Sequence, residues 1–81
     1  MLISLRLFAI LRDRAGLAEA QLDLPSNSTV ADALNQIAEK YPAIKNDLSR
    51  AASAVNRAYA PTTTILHDGD ELALIPPVSG G

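Results

Sequence analysis

The stretch Leu2-Ile3-Ser4-Leu5-Arg6-Leu7-Phe8-Ala9-Ile10-Leu11 decides how this chain folds. Ile3, Leu5, Leu7 and Ala9 fall on one face of an extended chain and Ser4, Arg6, Phe8 and Ile10 on the other, the pattern of a strand with one wholly apolar face. The alternation predicts a strand over Leu2–Leu11. After Arg12-Asp13-Arg14 and a break at Gly16, the residues Ala20, Leu22 and Leu24 alternate with Gln21 and Asp23, so a second strand follows and the two form an N-terminal hairpin. Pro25-Ser26-Asn27-Ser28 is a loop, and Thr29 with Asp32 makes a capping box in which Asp replaces the usual Glu. Val30, Leu34, Ile37, Ala38 and Tyr41 then form one stripe of an amphipathic helix. Pro42 ends it, and Ile44 with Leu48 predicts a further short helical turn.

From Ala51 to Ala60 small and β-branched residues predict a third strand, bent at Asn56-Arg57. Pro61 and Thr62-Thr63-Thr64-Ile65 make an irregular connection that the pattern does not place. His67-Asp68-Gly69-Asp70 is a turn, and Leu72, Leu74 and Pro76 alternate with Ala73 and Ile75 in a last strand. One main helix and four or five strands can bury their apolar faces only as two layers. The fold expected is therefore α+β, a mixed sheet with the helix packed on one face. A first strand rejoined by the last after a helical crossover favours a parallel central pair with a right-handed connection. That is the ubiquitin-like β-grasp arrangement, expected as a domain over residues 1–76 with a flexible, extended C-terminal tail over 77–81.

The 81 residues suffice for one small domain. Apolar residues at 48% and charged residues at 20% indicate a globular chain rather than a disordered one. A net charge of −2, with the basic residues dispersed, argues against a nucleic-acid partner, whose phosphates need clustered Lys and Arg. The apolar run Leu7–Leu11 is too short to span a membrane and lacks a signal-peptide pattern, so no membrane partner and a cytoplasmic location are expected. With no cysteine there is no disulfide and no thiol or persulfide chemistry within the chain. His67 alone cannot build a zinc site, and Asp68, Asp70 and Glu71 lack the ligand spacing of a calcium loop, so no metal is expected.

The chain ends Pro76-Pro77-Val78-Ser79-Gly80-Gly81. Two prolines fix φ and remove two backbone donors, so the last strand cannot continue through them. The residues beyond Pro76 reach roughly 17 Å at about 3.4 Å each. Glycine lets the final peptide enter a slot too narrow for a Cβ. Such a tail suits a carboxylate delivered into the active site of another protein.

Leu7-Phe8-Ala9 followed by Arg12, Ala54-Val55-Asn56, Asp68-Gly69-Asp70-Glu71-Leu72-Ala73 and the Pro76–Gly81 ending together resemble the small-subunit family of molybdopterin synthase, the sulfur carriers of that enzyme. The resemblance covers the whole chain in order, with Ser79 in place of the commoner Thr. It implies that Gly81 is adenylated by an ATP-dependent activating enzyme, converted to a thiocarboxylate, and then donates sulfur to cyclic pyranopterin monophosphate (precursor Z), forming the dithiolene of molybdopterin. It also implies that Pro76, Pro77, Val78, Ser79 and Gly80 thread a channel in the large subunit of a heterotetramer. The chain itself would be non-catalytic and hold no cofactor, the ATP belonging to the activating enzyme. Phe8, Tyr59 and Ile75, on a sheet face that the helix cannot cover, are expected partner contacts, with Arg12 at the rim. Two other readings share the Gly-Gly end: a carrier for thiamin thiazole or transfer-RNA thiolation, and a ubiquitin-like modifier whose carboxylate joins a lysine. Pro-Pro-Val-Ser before the glycines favours the first.

Overall fold

A computed structural model describes residues 1–77; Val78, Ser79, Gly80 and Gly81 of the expected tail lie outside the described residues. The strands are β1 (Leu2–Leu7), β2 (Glu19–Asp23), β3 (Ala52–Val55), β4 (Ala58–Tyr59) and β5 (Glu71–Ile75). The helices are α1 (Ala9–Ala15) and α2 (Val30–Lys40), followed by a 3₁₀ segment, Pro42–Arg50. The strands form one mixed sheet in the order β2-β1-β5-β3-β4. At its centre β1 and β5 run parallel, with Leu5 opposite Leu72 and Leu7 opposite Leu74. The other pairs are antiparallel. The ubiquitin-like β-grasp expected from the first and last strands is the observed fold.

One phase of the sheet makes the core. Ile3, Leu5, Leu7, Leu22, Leu72 and Leu74 pack against Val30, Ala33 and Ile37 of α2 and Ile44 and Leu48 of the 3₁₀ segment. Each fully buried aliphatic side chain contributes about 1.5–3 kcal/mol of transfer free energy, so this layer supplies most of what holds so small a domain together. The helix begins where its sequence says it should. The Asp32 N–H donates to Thr29 Oγ1 at 3.3 Å and the Thr29 N–H donates to Asp32 Oδ2 at 2.9 Å, completing the capping box. The segment that periodicity left unplaced then has a clear task. Thr64 and Thr62 offer their carbonyls, each at 2.9 Å, to the Val30 and Ala31 N–H groups, which a helix cannot satisfy within itself.

Two expectations need correction. The first strand stops at Leu7, not Leu11, and the chain enters α1. Leu7, Leu11 and Ala15 are spaced four apart, and Leu11 is fully buried with Ala15 packed beside the core. That helical stripe outweighs an alternation in which both phases are apolar after Leu7. Gly16, at φ +81°, closes the helix by donating its N–H to the Arg12 carbonyl at 2.9 Å. Ala9, expected on the buried face, is exposed with φ +52°. β1 and β2 do pair as expected, but α1 connects them. The second correction concerns the third strand, which does not bend at Asn56-Arg57 but reverses there. Both residues have positive φ, +51° and +70°, and Ala54 returns opposite Tyr59 in β4. This is a two-residue hairpin of the kind matched to strand twist. The expected helical turn after Pro42 is nine residues of 3₁₀ helix, tied to α1 by Arg14 Nη1, which donates to both carboxylate oxygens of Asp47 at 2.7 and 2.9 Å. No helix among the described residues is long and apolar enough to cross a membrane.

Candidate docking face and tail exit

The phase of the sheet turned away from α2 carries Arg6 of β1, Ala54 of β3, Tyr59 of β4, and Glu71, Ala73 and Ile75 of β5. Ala54 and Ala73 are cross-strand partners and both are buried, so their small side chains leave a floor lower than its surroundings. Phe8, Tyr59 and Ile75 wall this depression, and Arg6, Arg57 and Glu71 complete its lining, enclosing about 340 Å3. Phe8 lies beyond the end of β1, but its backbone stays extended at φ −123° and ψ +153°, which keeps it on the Arg6 side of the sheet. Its ring lies 5.6 Å from the Arg6 guanidinium carbon, and Arg6 Nε approaches Glu19 Oε1 at 3.6 Å. Phe8 is 38% and Tyr59 77% exposed. Large aromatic side chains left in water around an apolar floor are the usual mark of an interface.

At the opposite end of β5 the Asp68–Glu71 stretch has a structural role. The Leu2 N–H donates to Asp68 Oδ1 at 2.7 Å, and the Gly69 N–H donates to the Leu2 carbonyl at 2.8 Å. Asn56 Nδ2 donates to Asp70 Oδ1 at 2.9 Å, while the Glu71 N–H donates to Asn56 Oδ1 at 3.0 Å. The His67 N–H donates to Asp70 Oδ2 at 2.8 Å. The Asn56 amide, and then the His67 N–H, hold the Asp70 carboxyl below the usual aspartate range. These bonds pin the start of β1, the β3-β4 turn and the start of β5 to one another. With β5 fixed at Glu71 and paired on both sides, its exit at Ile75 is fixed too, and Pro76 and Pro77 follow directly. Among the described residues no group of three His, Asp or Glu side chains is placed to hold a metal ion.

The structure thus brings Phe8, Tyr59 and Ile75 together around one depression. Arg12 is elsewhere, exposed on α1 with its Nε 3.6 Å from Asp13, and it does not line this site. Pro76 is half-buried and Pro77 exposed at the sheet's end. Val78, Ser79, Gly80 and Gly81 fall outside the described residues. Arg57 was missed by the sequence reading. The hairpin signal of a dipeptide beginning with Asn between two short apolar runs is weakened here because arginine stands where glycine is usual.

Residues 5–81 match the ThiS family. The chain is 37% identical over 79 residues to a molybdopterin synthase sulfur carrier subunit of Arabidopsis thaliana, covering 98% of this chain and 82% of that one. Among solved structures, SAMP1 from Haloferax volcanii superposes with a TM-score of 0.92 at 31% identity, over the whole of both chains. A complex of subunits 1 and 2 of the molybdopterin-converting factor from Helicobacter pylori contains a chain that matches with a TM-score of 0.72 at 26% identity, again over the whole of both. With a family match over nearly the full length, a relative 37% identical over 98% of the chain and the same β-grasp topology, the chain belongs to the ThiS family.

Proposed function

We propose that this chain is the sulfur-carrying small subunit of a molybdopterin synthase, acting in molybdenum cofactor biosynthesis in the cytoplasm. The observation that carries the reading is the course of β5. This strand forms part of the lining of the open depression, pairs with β1 and β3 at the sheet's centre, and leads into Pro76-Pro77 and the Gly-Gly end. A docked partner is therefore held in a fixed relation to the root of the tail.

The chemistry follows from Gly81. A carboxylate is a poor electrophile, because its charge repels nucleophiles and its leaving group would be oxide. An activating enzyme couples it to ATP, releasing pyrophosphate and leaving an acyl adenylate whose leaving group is AMP. Sulfide sulfur from a donor displaces AMP to give the thiocarboxylate. That group is anionic at neutral pH and nucleophilic at sulfur, as thiolates are. In the second subunit, which supplies the catalytic groups, the thiocarboxylate attacks cyclic pyranopterin monophosphate, and two sulfur transfers build the dithiolene. Gly80 and Gly81 let the tail pass a narrow channel. Pro76 and Pro77 lower the conformational entropy lost on threading it. Intact-mass measurement of the chain after incubation with ATP, activating enzyme and sulfur donor tests this: a gain equal to exchanging one oxygen for one sulfur is expected. An unchanged mass, with the activating enzyme active on another carrier, contradicts it.

The likeness to SAMP1, a small archaeal modifier protein, favours a second outcome of the same activation. Attack on the adenylate by a lysine amine in place of sulfide gives an isopeptide. Recovery of the tagged chain under denaturing conditions, attached to other proteins through Gly81, would assign it that role as well.

A further inference from the structure

We infer that Arg57 is a specificity-determining residue of the docking face, pairing with a carboxylate on the protein that receives the tail. The inference rests on the reading that the open face docks a partner. The hairpin Asn56-Arg57 places both residues in the left-handed region, Arg57 at φ +70°. Asn tolerates this conformation and glycine adopts it freely, but other residues that bear a Cβ do so only at a cost. Arginine is thus the locally unfavourable choice at a position where glycine would serve the turn better. The turn cannot relax to relieve it, because Asn56 is bonded through its amide to Asp70 and to the Glu71 N–H.

Nothing within the described fold accounts for the guanidinium. The ion pairs of the described residues engage Met1, Arg6, Arg12 and Arg14, and no side-chain hydrogen bond of the described residues involves Arg57. Arg57 instead lines the depression beside Tyr59 and Phe8. Glu71 lines it too, yet no ion pair among the described residues joins the two. Arg6, the other cation of this site, already faces Glu19. The result is an exposed guanidinium without an ion-pair or hydrogen-bond partner among the described residues, beside an apolar floor, on a chain whose net charge is −2. A complementary surface presents an apolar side chain to Ala54 and Ala73 and a carboxylate to Arg57, where the planar fork of arginine can take both oxygens. Because the chain as a whole is acidic, this attraction acts at contact range and selects the partner rather than steering it from afar.

The test separates binding from folding. Arg57→Gly and Arg57→Asn both remove the charge and both suit the left-handed turn, so melting temperature is expected to rise or hold. Binding to the cognate large subunit, followed by titration calorimetry, is expected to weaken by about tenfold for both. Arg57→Glu is expected to weaken it further, and added salt to narrow the gap between wild type and Arg57→Gly. Phe8→Ser is measured alongside. Loss of affinity in Phe8→Ser with full affinity in Arg57→Gly and Arg57→Asn overturns the role of Arg57 and leaves the docking face standing. Full affinity in all three overturns the docking face as well.

Discussion

The two sides of the sheet are built on opposite terms. On the helix side, Leu5, Leu7, Leu72 and Leu74 alternate in strict register across the central parallel pair and are at most 2% exposed. On the open side the same strands offer Arg6, Ala73 and Ile75. The depression there is flanked by three residues with positive φ that are not glycine: Ala9, next to Phe8, and Asn56 and Arg57. Such conformations cost on the order of 1 kcal/mol each for residues bearing a Cβ. Burial and regular backbone meet on one side, exposed aromatic surface and strained backbone on the other. We propose that stability is carried by the one layer and recognition by the other, and single substitutions should separate them.

The largest effect is expected in the buried layer. Leu5→Ala or Leu72→Ala leaves a cavity between sheet and helix and should cost about 2–5 kcal/mol, read by chemical denaturation. A loss below 1 kcal/mol would mean that the helix-side packing does not dominate.

Asn56→Ala comes next. It removes two side-chain hydrogen bonds and places alanine at φ +51°. About 2 kcal/mol of destabilisation is expected. The acid limb should change as well. Because Asp70 is held below its ordinary range in the fold, its carboxylate stabilises the native state above the unfolded value, and that contribution disappears as pH falls from about 4 through the lower folded value. Without Asn56 the folded value moves back up and stability falls less between pH 4 and 2. An unchanged acid limb would show that the amide is not what holds Asp70.

The smallest effect on folding is expected on the open side. Phe8→Ser and Ile75→Arg should shift stability by less than about 1 kcal/mol, with the circular dichroism spectrum intact, yet weaken the complex with the large subunit by tenfold or more. Unfolding of both variants would erase the distinction between the layers.

How far the sequence led follows the same division. The helix-side layer was legible because burial imposes a period: Ile3, Leu5 and Leu7 in β1, the Val30–Tyr41 stripe, and Leu72 with Leu74. The capping box at Thr29 and Asp32 and the turn at His67–Asp70 were legible because hydrogen-bond chemistry admits few residue types there. α1 was not, since Phe8, Ala9 and Ile10 satisfy an alternating pattern as well as a helical one, and only the burial of Leu11 decides. The turn at Asn56-Arg57 looked like a bend because arginine stands where glycine usually announces a reversal. Around the open-side depression, Phe8, Tyr59 and Ile75 were legible as unclaimed apolar residues, whereas Arg57 was hidden by that same unusual turn. Arg12 was grouped with them as a rim contact on the family resemblance, and α1 carries it outside the lining of this depression.

On the function proposed above, the fold presents the tail and Gly81 reacts. A chain ending at Gly80 retains every described contact and still carries a carboxylate, but one displaced by about 3.4 Å along the tail. Misplacement on that scale can cost on the order of a hundredfold in rate. Assayed with ATP, activating enzyme, sulfur donor and large subunit, the shortened chain should melt like the full one and bind the large subunit through its open face. It should nonetheless gain no sulfur and support no molybdopterin formation. Near-normal product from the chain ending at Gly80 would contradict the sulfur-carrier mechanism.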